Sequence, residues 1–304
     1  MSKVLIVGGS GFIGQNVIKR CLALNWDVYS LNLQFHNLNS KYKNIVEIVC
    51  DVRNLEDLKN ALSKYEFIYV INCLGYVDHS NLNSGGLNVI HTHFIGTVNL
   101  ISVLNKGCLR KFINIGSSDE YGYSIAPQVE TMNESPFSCY SFSKTCISNF
   151  LKMMYVSESF PSIILRIFLT YGPDQNDDRF LPQIINGCLS DSEFPVSEGN
   201  QIRDFCFISD IVDAIIISLE SDVNNAEIFN IASGEPIKIK NIVLLIKEIT
   251  SKGNPIFGAI PYRNNEVMEL YANIDKAKHI LKWFPKVNLY DGLTLTIKAK
   301  NKNI

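Results

Sequence analysis

The first half of the chain alternates short apolar runs with longer segments in which apolar residues recur at helical spacing. Each short run is bounded by glycines or other turn residues, which predicts a strand buried on both of its faces. Alternation of such strands with helices predicts an α/β fold with a doubly wound parallel sheet that is covered on both faces. The predicted strands are 4–7, 28–31, 45–49, 67–71, 112–115 and 162–167, and the predicted helices are 12–24, 55–63, 87–104 and about 138–156.

After Tyr171 the pattern changes, and short strands and helices follow one another with no repeat, low-complexity tract or long linker. We therefore expect a smaller second lobe that is interwoven with the first. The expected division places residues 1–168 and about 204–233 in a dinucleotide-binding domain, and about 169–203 and 234–304 in a substrate-binding lobe. The elements predicted in this half are an apolar segment at 180–189, strands at 205–208 and 228–232, helices at 211–219 and 240–250, and a mixed tail at 274–299.

Composition and charge limit the classes of partner. Hydrophobic residues make up 46% of the 304 residues and charged residues 19%, which is ordinary for a chain with a buried core. With 30 acidic and 28 basic residues, the net charge of −2 indicates neither nucleic acid nor an anionic membrane as a partner. The opening MSKVLIVGG does not resemble a signal peptide, and no apolar stretch reaches the length of about 18 residues that a membrane span needs.

The eight cysteines are scattered along the chain, and none forms a Cys-x-x-Cys pair. Several lie in apolar runs, such as Cys50 and Cys206. We therefore expect buried thiols in a reducing cytoplasm, rather than disulfides or a metal site.

A glycine-rich segment joins the first predicted strand to the first helix. Gly8, Gly11 and Gly14 have the spacing Gly-x-x-Gly-x-x-Gly. The early glycines allow a tight turn and a close approach to a pyrophosphate, and the helix N-terminus offers it unpaired N–H groups. Gly14 allows the helix to lie close to the sheet. Because the motif lies between a strand and a helix, we favour dinucleotide binding over a purely structural turn.

The residue that ends the second strand bears on the choice of cofactor. An Asp there would accept hydrogen bonds from the adenosine ribose, and a nearby Arg would bind a 2′-phosphate. The chain has Asn32, followed by Gln34 and His36, with no Arg. Asn still bonds the ribose, so we expect NAD(H) rather than NADP(H). Asp51, after the third strand, either reaches the adenine amine or serves as a capping or turn residue.

A Tyr-x-x-x-Lys motif lies in the helix that follows the fifth strand. The i, i+4 spacing places Tyr140 and Lys144 on one face of that helix. A neighbouring ammonium favours the phenolate, so this Tyr can exchange a proton with a carbinol or carbonyl oxygen while hydride moves to or from a nicotinamide. An exposed Tyr and a solvated Lys are the alternative. Ser117 and Ser118 favour the catalytic interpretation because they end the fifth strand at the sheet edge where α/β enzymes bind ligands.

These motifs together resemble the extended short-chain dehydrogenases/reductases, in the NAD-dependent epimerase/dehydratase family, over nearly the whole chain. The resemblance implies a Rossmann-type fold with a smaller C-terminal substrate-binding lobe. Within the family, the later half is most similar to nucleotide-sugar 4-ketoreductases such as CDP-abequose synthase and dTDP-fucose synthase. The segments that carry the resemblance are the glycine loop, Phe112–Gly122, Glu134–Tyr140, Arg166–Pro173, Asp178–Ile185, Gln201–Phe205 and Phe257–Met268.

The resemblance implies roles for individual residues. The catalytic residues would be Tyr140, Lys144 and Ser118. The cofactor-binding residues would be Gly8, Gly11, Phe12, Ile13, Gly14, Asn32, Asp51, Val52, Leu74 and Lys144. The substrate-binding residues would be Asp119, Glu120, Arg179, Arg203, Arg263 and Glu266.

Arg203 would contact the diphosphate or nucleotide of the substrate, since a guanidinium offers a fork of donors to an anion. The alternative for Arg203 is a surface ion pair with Asp204 or Asp210.

Three departures from the family pattern qualify these roles. Leu169 and His93 each stand where relatives often have Asn, and we expect His93 to be a buried, hydrogen-bonded residue. Asp119 and Glu120 are similar to the acid and base of 4,6-dehydratases, but the segment before Tyr121 is one residue shorter. Three interpretations stay open for the two carboxylates: they act as acid and base, the shorter segment displaces them from those positions, or they are loop residues without a catalytic role.

The leading functional hypothesis is reduction of a 4-keto sugar nucleotide, or the reverse dehydrogenation, in surface-polysaccharide synthesis in the cytoplasm. The alternatives are a 4-epimerase or 4,6-dehydratase that recycles its NAD, and a non-catalytic dinucleotide-binding regulator. Helices 87–104 and 138–156 also resemble those of the family's homodimer. Apolar residues of the second helix are candidates for either core or interface: Phe142, Ile147, Phe150, Leu151 and Met154.

Overall fold

A computed structural model describes residues 2–263 and 266–301. The strands in this part of the chain are β1 (Lys3–Val7), β2 (Asp27–Asn32), β3 (Ile45–Val49), β4 (Tyr69–Asn72), β5 (Lys111–Ser117), β6 (Ser162–Ile167), β7 (Leu169–Tyr171), β8 (Glu193–Pro195), β9 (Ile202–Phe207), β10 (Asn225–Ile231), β11 (Pro236–Lys238), β12 (Asn254–Ile256) and β13 (Glu269–Leu270). The α-helices are α1 (Phe12–Ala23), α2 (Leu55–Leu62), α3 (Gly86–Ile90), α4 (Gly96–Val103), α5 (Cys139–Glu158), α6 (Phe180–Leu189), α7 (Ile208–Glu220), α8 (Ile239–Thr250) and α9 (Leu289–Asn301).

The chain divides into two compact units, and it enters each of them more than once. Tyr123–Val129 belongs to the second unit, which no pattern in the sequence indicated. Unit 1 comprises Met1–Gly122, Glu130–Ile167 and Val212–Phe229. Unit 2 comprises Tyr123–Val129, Phe168–Ile211 and Asn230–Ile304.

A seven-stranded sheet has the order β10-β6-β5-β4-β1-β2-β3, and neighbouring strands from β6 to β3 are parallel. This is the strand order of a doubly wound Rossmann-type sheet, so the predicted fold class is confirmed. The predicted fourth strand at 67–71 begins instead at Tyr69, because Tyr69 is the first residue that pairs with β1. Phe67 is nevertheless buried.

Both faces of this sheet are covered. Leu5 and Val7 of β1 pack in one cluster with Leu58 of α2, Leu100 of α4 and Ile147 of α5. The intervening residues of β1 point to the opposite face and are also fully buried. An ion pair of 3.9 Å between Arg20 and Asp213 links α1 to α7.

The long helix predicted at 87–104 is found at residues 86–103, but with an interruption. A π-helical turn, His91–Ile95, separates α3 from α4. Gly96 lies close to the segment that follows β3, since a Cβ atom there would approach Val52 Cγ2 to 2.6 Å. The π turn places His93 in the interior, where it is 1% exposed.

Unit 2 has its own small sheet, in which β9 pairs in parallel with β7 and β13 and antiparallel with β11. A second pair, β12 and β8, is parallel. These strands have two to six residues, so their apolar pattern was too short to predict most of them.

None of the helices in residues 2–263 and 266–301 has the length and apolar character that a membrane span requires. The same residues contain no grouping of three His, Cys, Asp or Glu side chains suited to a metal ion. All eight cysteines are free thiols, and four of them are buried.

Candidate active site

The glycine loop between β1 and α1 has the geometry that dinucleotide binding requires. Gly8 has φ +75°, and a Cβ atom there would lie 2.8 Å from the backbone oxygen of Cys73. A Cβ atom on Gly14 would lie 2.4 Å from Gly8 O, so α1 packs closely on the loop. Gly11 is the N-cap of α1, with no side-chain cap and no acidic residue in the first turn. The free N–H groups and the positive helix end fit the pyrophosphate of a dinucleotide.

Asn32, at the end of β2, holds this loop in place. Its Oδ1 accepts a hydrogen bond of 3.0 Å from the backbone N–H of Ser10, and its Nδ2 donates to Ser30 Oγ at 2.9 Å. The side chain is buried. Asn32 therefore fixes the glycine loop, while its contact with a ribose stays a prediction.

Asp51 is engaged in a local turn. Its carboxylate accepts hydrogen bonds from the backbone N–H and the guanidinium of Arg53, which lower the pKa of the carboxyl group. In the structure Asp51 is therefore a turn residue, and its contact with the adenine amine stays a prediction. Val52 is buried and Leu74 half-buried, and both lie against Gly96.

Tyr140 and Lys144 lie in the first two turns of α5, whose N-cap is Ser138. Both side chains are buried, and Lys144 Nζ is 5.9 Å from the centre of the Tyr140 ring. The ammonium donates a hydrogen bond of 2.8 Å to the backbone oxygen of Ile115, which anchors it to β5. Burial lowers the pKa of Lys144 to about 8. The predicted pair is therefore positioned against the strand that leads to Ser117 and Ser118.

Ser118 begins a 3₁₀ turn, Ser118–Tyr121, directly after β5. Ser117 caps this turn by accepting a hydrogen bond from the N–H of Asp119 at 3.2 Å. Ser118 is buried. The backbone of the turn is thereby fixed at its start, and a hydrogen bond from Ser118 to a reacting oxygen stays a prediction.

Glu120, in the same turn, has a structural role that the sequence did not indicate. It is fully buried, and its Oε1 accepts the Ser117 N–H at 2.9 Å. Its Oε2 accepts hydrogen bonds from Ser148 Oγ at 2.7 Å and from Arg166 Nε at 3.0 Å. The expectation that Glu120 binds substrate is therefore corrected, because its carboxylate is held within the interior of unit 1.

Two histidines surround the Tyr140 ring. His93 lies edge-to-face with it, with 5.3 Å between ring centres, and its Nε2 is 2.9 Å from Tyr76 O. Burial lowers the pKa of His93 to about 3, so the ring is neutral. The prediction of a buried, hydrogen-bonded His93 is confirmed.

The second histidine, His79, was missed by sequence reasoning. Its ring lies edge-to-face with Tyr140 at 5.6 Å, and its Nε2 is 3.6 Å from Asp119 Oδ2. Its position could have identified it as a candidate, because it lies in the loop after β4, at the carboxyl edge where parallel sheets bind ligands.

In unit 2, the structure brings Arg203 and Glu266 together in an ion pair, with Arg203 mostly buried. The two carboxylates that the sequence offered as alternative partners of Arg203 accept hydrogen bonds from other groups, and the role of Arg203 in substrate binding stays a prediction. Asp204 accepts hydrogen bonds from Ser233 and Gly234, and Asp210 accepts one from the N–H of Val287.

Arg179 is partly exposed, with 43% of its side chain accessible, and Arg263 is exposed. Arg179 is the N-cap residue of α6 and lies 3.8 Å from Asp178. The backbone oxygen of Arg263 accepts the N–H of Glu266 at 3.1 Å. The roles of these two residues in substrate binding stay predictions.

The chain is similar to known proteins of one family over most of its length. Residues 4–232 match the NAD dependent epimerase/dehydratase family. The chain is 27% identical to a putative UDP-glucose 4-epimerase of Methanocaldococcus jannaschii, over 99% of each protein. It is 26% identical to a UDP-N-acetyl-alpha-D-glucosaminuronate decarboxylase of Bacillus cytotoxicus, over 97% of each.

The crystal structure of a UDP-glucose 4-epimerase from Thermotoga maritima with UDP-glucose is similar throughout. It has a TM-score of 0.89 and 25% identity, and the match covers 99% of both chains. The expected family and fold are thereby confirmed, whereas the finer resemblance to 4-ketoreductases is not. The chain belongs to the NAD dependent epimerase/dehydratase family.

Proposed function

We propose that this protein transfers hydride at C4 of a nucleotide-linked sugar, with NAD as cofactor. The observation that carries the proposal is the Tyr140–Lys144 pair, anchored through Ile115 O to the strand that leads to Ser118. The family to which the chain belongs is described as NAD dependent, and the glycine loop fits the cofactor's pyrophosphate. NAD would supply the hydride acceptor or donor.

Each residue of the pair has a distinct task. Tyr140 would exchange a proton with the C4 oxygen of the sugar. The Lys144 ammonium, present below about pH 8, would favour the phenolate form of Tyr140 and hold the nicotinamide ribose. Ser118 would donate a hydrogen bond to the same C4 oxygen.

A nucleotide diphosphate is the substrate class that unit 2 suits best. Arg203 is held by Glu266 in a fixed orientation, and Arg179 and Arg263 add exposed guanidinium groups. Guanidinium groups bind phosphate oxygens through paired hydrogen bonds. The relatives named for UDP-sugars support the same class.

The net change in the cofactor over one turnover separates two candidates. The first is a 4-keto reductase or 4-dehydrogenase, with net formation or consumption of NADH. The second is a 4-epimerase that restores its cofactor, which the names of the similar epimerases favour. A 4,6-dehydratase receives less support, because Glu120 is buried against Arg166 and cannot serve as its base.

The test is an NADH absorbance assay with the keto and hydroxy forms of UDP-, dTDP-, CDP- and GDP-sugars. A stoichiometric absorbance change would establish the reductase or dehydrogenase, and Tyr140→Phe should reduce the rate of turnover by about 10³-fold. Turnover without a net change would establish the epimerase. Sugar-nucleotide binding without turnover of any substrate would contradict both enzyme candidates and favour a regulator. A homodimer, a cytoplasmic location and a role in surface-polysaccharide synthesis stay predictions.

A further inference from the structure

His79 lies beside Tyr140, and the roles assigned so far do not include it. Its ring meets the Tyr140 ring edge-to-face, with 5.6 Å between ring centres and an interplanar angle of 83°. His93 contacts the same tyrosine in the same manner, at 5.3 Å and 85°. Because Tyr140 is only 7% exposed, these ring contacts restrict the directions in which its phenol can point.

The two imidazoles differ in their surroundings. His93 belongs to the π-helical turn and is 1% exposed, so the interior of unit 1 holds it. His79 lies in the loop after β4, outside any helix or strand, and 34% of its side chain is exposed. A side chain on an exposed loop keeps one orientation only where specific contacts fix it.

Three contacts fix the ring of His79. It stacks on Phe137 with 6.0 Å between ring centres and an interplanar angle of 16°. Its Nδ1 is 3.1 Å from Ser138 Oγ, and its Nε2 is 3.6 Å from Oδ2 of Asp119. Both ring nitrogens therefore have a partner within the protein. The contacts orient the imidazole and leave it no nitrogen for a reaction of its own.

The groups that hold His79 belong to the two segments that contain the candidate catalytic hydroxyl groups. Ser138 is the N-cap of α5, two residues before Tyr140. Asp119 directly follows Ser118 in the turn after β5. A residue that only anchored its own loop would need a contact with one of these segments, whereas His79 contacts both of them and the Tyr140 ring as well.

We propose that His79 is a positioning residue for hydride transfer, which sets the orientation of the Tyr140 phenol and its separation from the Ser118 hydroxyl. The inference rests on the proposed function, in which both hydroxyl groups meet the C4 oxygen of the sugar. A misplacement of about 1 Å between groups that act on one atom can cost about 100-fold in rate. His79 exchanges no proton with the substrate and acts through Tyr140.

A double-mutant cycle tests this role. The substrate is the sugar nucleotide that the wild-type protein converts fastest among the UDP-, dTDP-, CDP- and GDP-sugars, and chromatography of the products gives the rate. His79→Ala should lower kcat about 30-fold, while the KM for the sugar nucleotide and the Kd for NAD change less than about threefold. In a Tyr140→Phe background the same change should lower kcat less than about twofold, because the phenol through which His79 acts is absent.

Two partial replacements separate the contacts of the imidazole. His79→Phe keeps a ring against Phe137 and Tyr140 but has no polar atom for Ser138 or Asp119. His79→Asn keeps a polar atom for Ser138 but has no ring. Each variant should recover part of the kcat that His79→Ala loses. The same cycle is run with His79→Asn if melting temperatures show that His79→Ala is unfolded.

The control and the outcomes distinguish this inference from the proposed function. His279→Ala alters another exposed histidine, whose Nδ1 contacts a backbone oxygen at 2.8 Å, and should leave kcat unchanged. Equal losses from His79→Ala with and without the Tyr140 phenol would overturn the inference alone, since His79 would then act independently of Tyr140. An unchanged kcat in folded His79→Ala would do the same. A wild-type protein that converts none of the sugar nucleotides would contradict the proposed function and the inference together.

Discussion

Glu120 and Arg166 form an ion pair with no solvent exposure, in which Oε2 of the glutamate lies 3.0 Å from Nε of the arginine. The same guanidinium donates a hydrogen bond of 2.6 Å to Glu134, on the segment that leads to α5, and lies over the ring of Tyr121. One arginine on β6 thus holds the turn that contains Ser118 and the approach to Tyr140. The relative positions of the candidate catalytic groups depend on this buried pair.

We expect Glu120→Gln to lower the free energy of unfolding by about 3 kcal/mol, because it leaves a buried guanidinium with only part of its compensating charge. Urea unfolding at neutral pH measures the change. Glu158→Gln, which removes a carboxylate from the exposed pair with Lys106, should cost less than about 1 kcal/mol. Equal costs for the two variants would contradict a special role for the buried pair.

The Glu120 result shows where sequence reasoning reaches its limit. The parallel sheet was predictable because each strand is a local apolar run, and Tyr140 and Lys144 were predictable because one helix fixes their spacing. The partner of Glu120 lies 46 residues further along the chain. That contact depends on the pairing of β5 with β6 and on the space that Gly116 leaves for the carboxylate. His79 was missed for the same reason, since its contacts come from two other segments.

The pKa of Lys144 predicts an alkaline limit to activity. The ammonium charge is present below about pH 8 and is lost as the pH rises through that value. We therefore expect the rate of keto-sugar reduction to fall above about pH 8. Two neighbouring groups keep their charge state over this range, because burial raises the pKa of Cys73 to about 12 and lowers that of His93 to about 3.

The variant that checks this assignment is Lys144→Arg, since a guanidinium stays charged throughout the range. The rate of this variant, normalised to its own maximum, should therefore not fall as the pH rises through about 8. A limb that stays in place would mean that a group other than Lys144 titrates there.

The hydrogen bond between Asn32 and the glycine loop should contribute to the affinity for NAD. Asn32→Ala removes the acceptor for the Ser10 N–H, so the loop loses its attachment to the end of β2. We expect NAD to bind about tenfold more weakly, as measured by calorimetry, which corresponds to the loss of about one hydrogen bond. Asn60→Ala, at an exposed asparagine on α2, serves as the control. Unchanged NAD affinity in Asn32→Ala would refute the link.

Gly75 has no room for a side chain. Its φ is +112°, and a Cβ atom would lie 1.8 Å from Cε1 of His93. Gly75→Ala should therefore destabilise the protein by about 3 kcal/mol through overlap and backbone strain together. The added change His93→Ala should recover part of that loss by removing the overlap.

Gly107→Ala is the matched control for Gly75→Ala, because its Cβ would lie 3.3 Å from Oδ1 of the Asn105 side chain. Its effect on thermal unfolding should be small. A Gly75→Ala variant as stable as Gly107→Ala would show that the His93 ring moves away at little cost.

The structure separates the apolar residues of α5 into core and surface. Ile147, Leu151 and Met154 are buried in unit 1, whereas Phe142 is 49% and Val156 86% exposed. Val156 follows Phe142 by fourteen positions, which is close to four helical turns, so both lie on one side of α5. If the homodimer implied by the family resemblance forms through this face, a charge there should prevent it.

We expect the wild-type protein to sediment as a dimer at micromolar concentration, and the double variant Phe142→Glu/Val156→Glu as a folded monomer. Burying a carboxylate without a partner in an apolar interface is unfavourable. Leu244→Glu, at an exposed leucine on α8, should leave the dimer intact. A monomeric wild type would refute the dimer, and a double variant that still dimerises would place the interface on another surface.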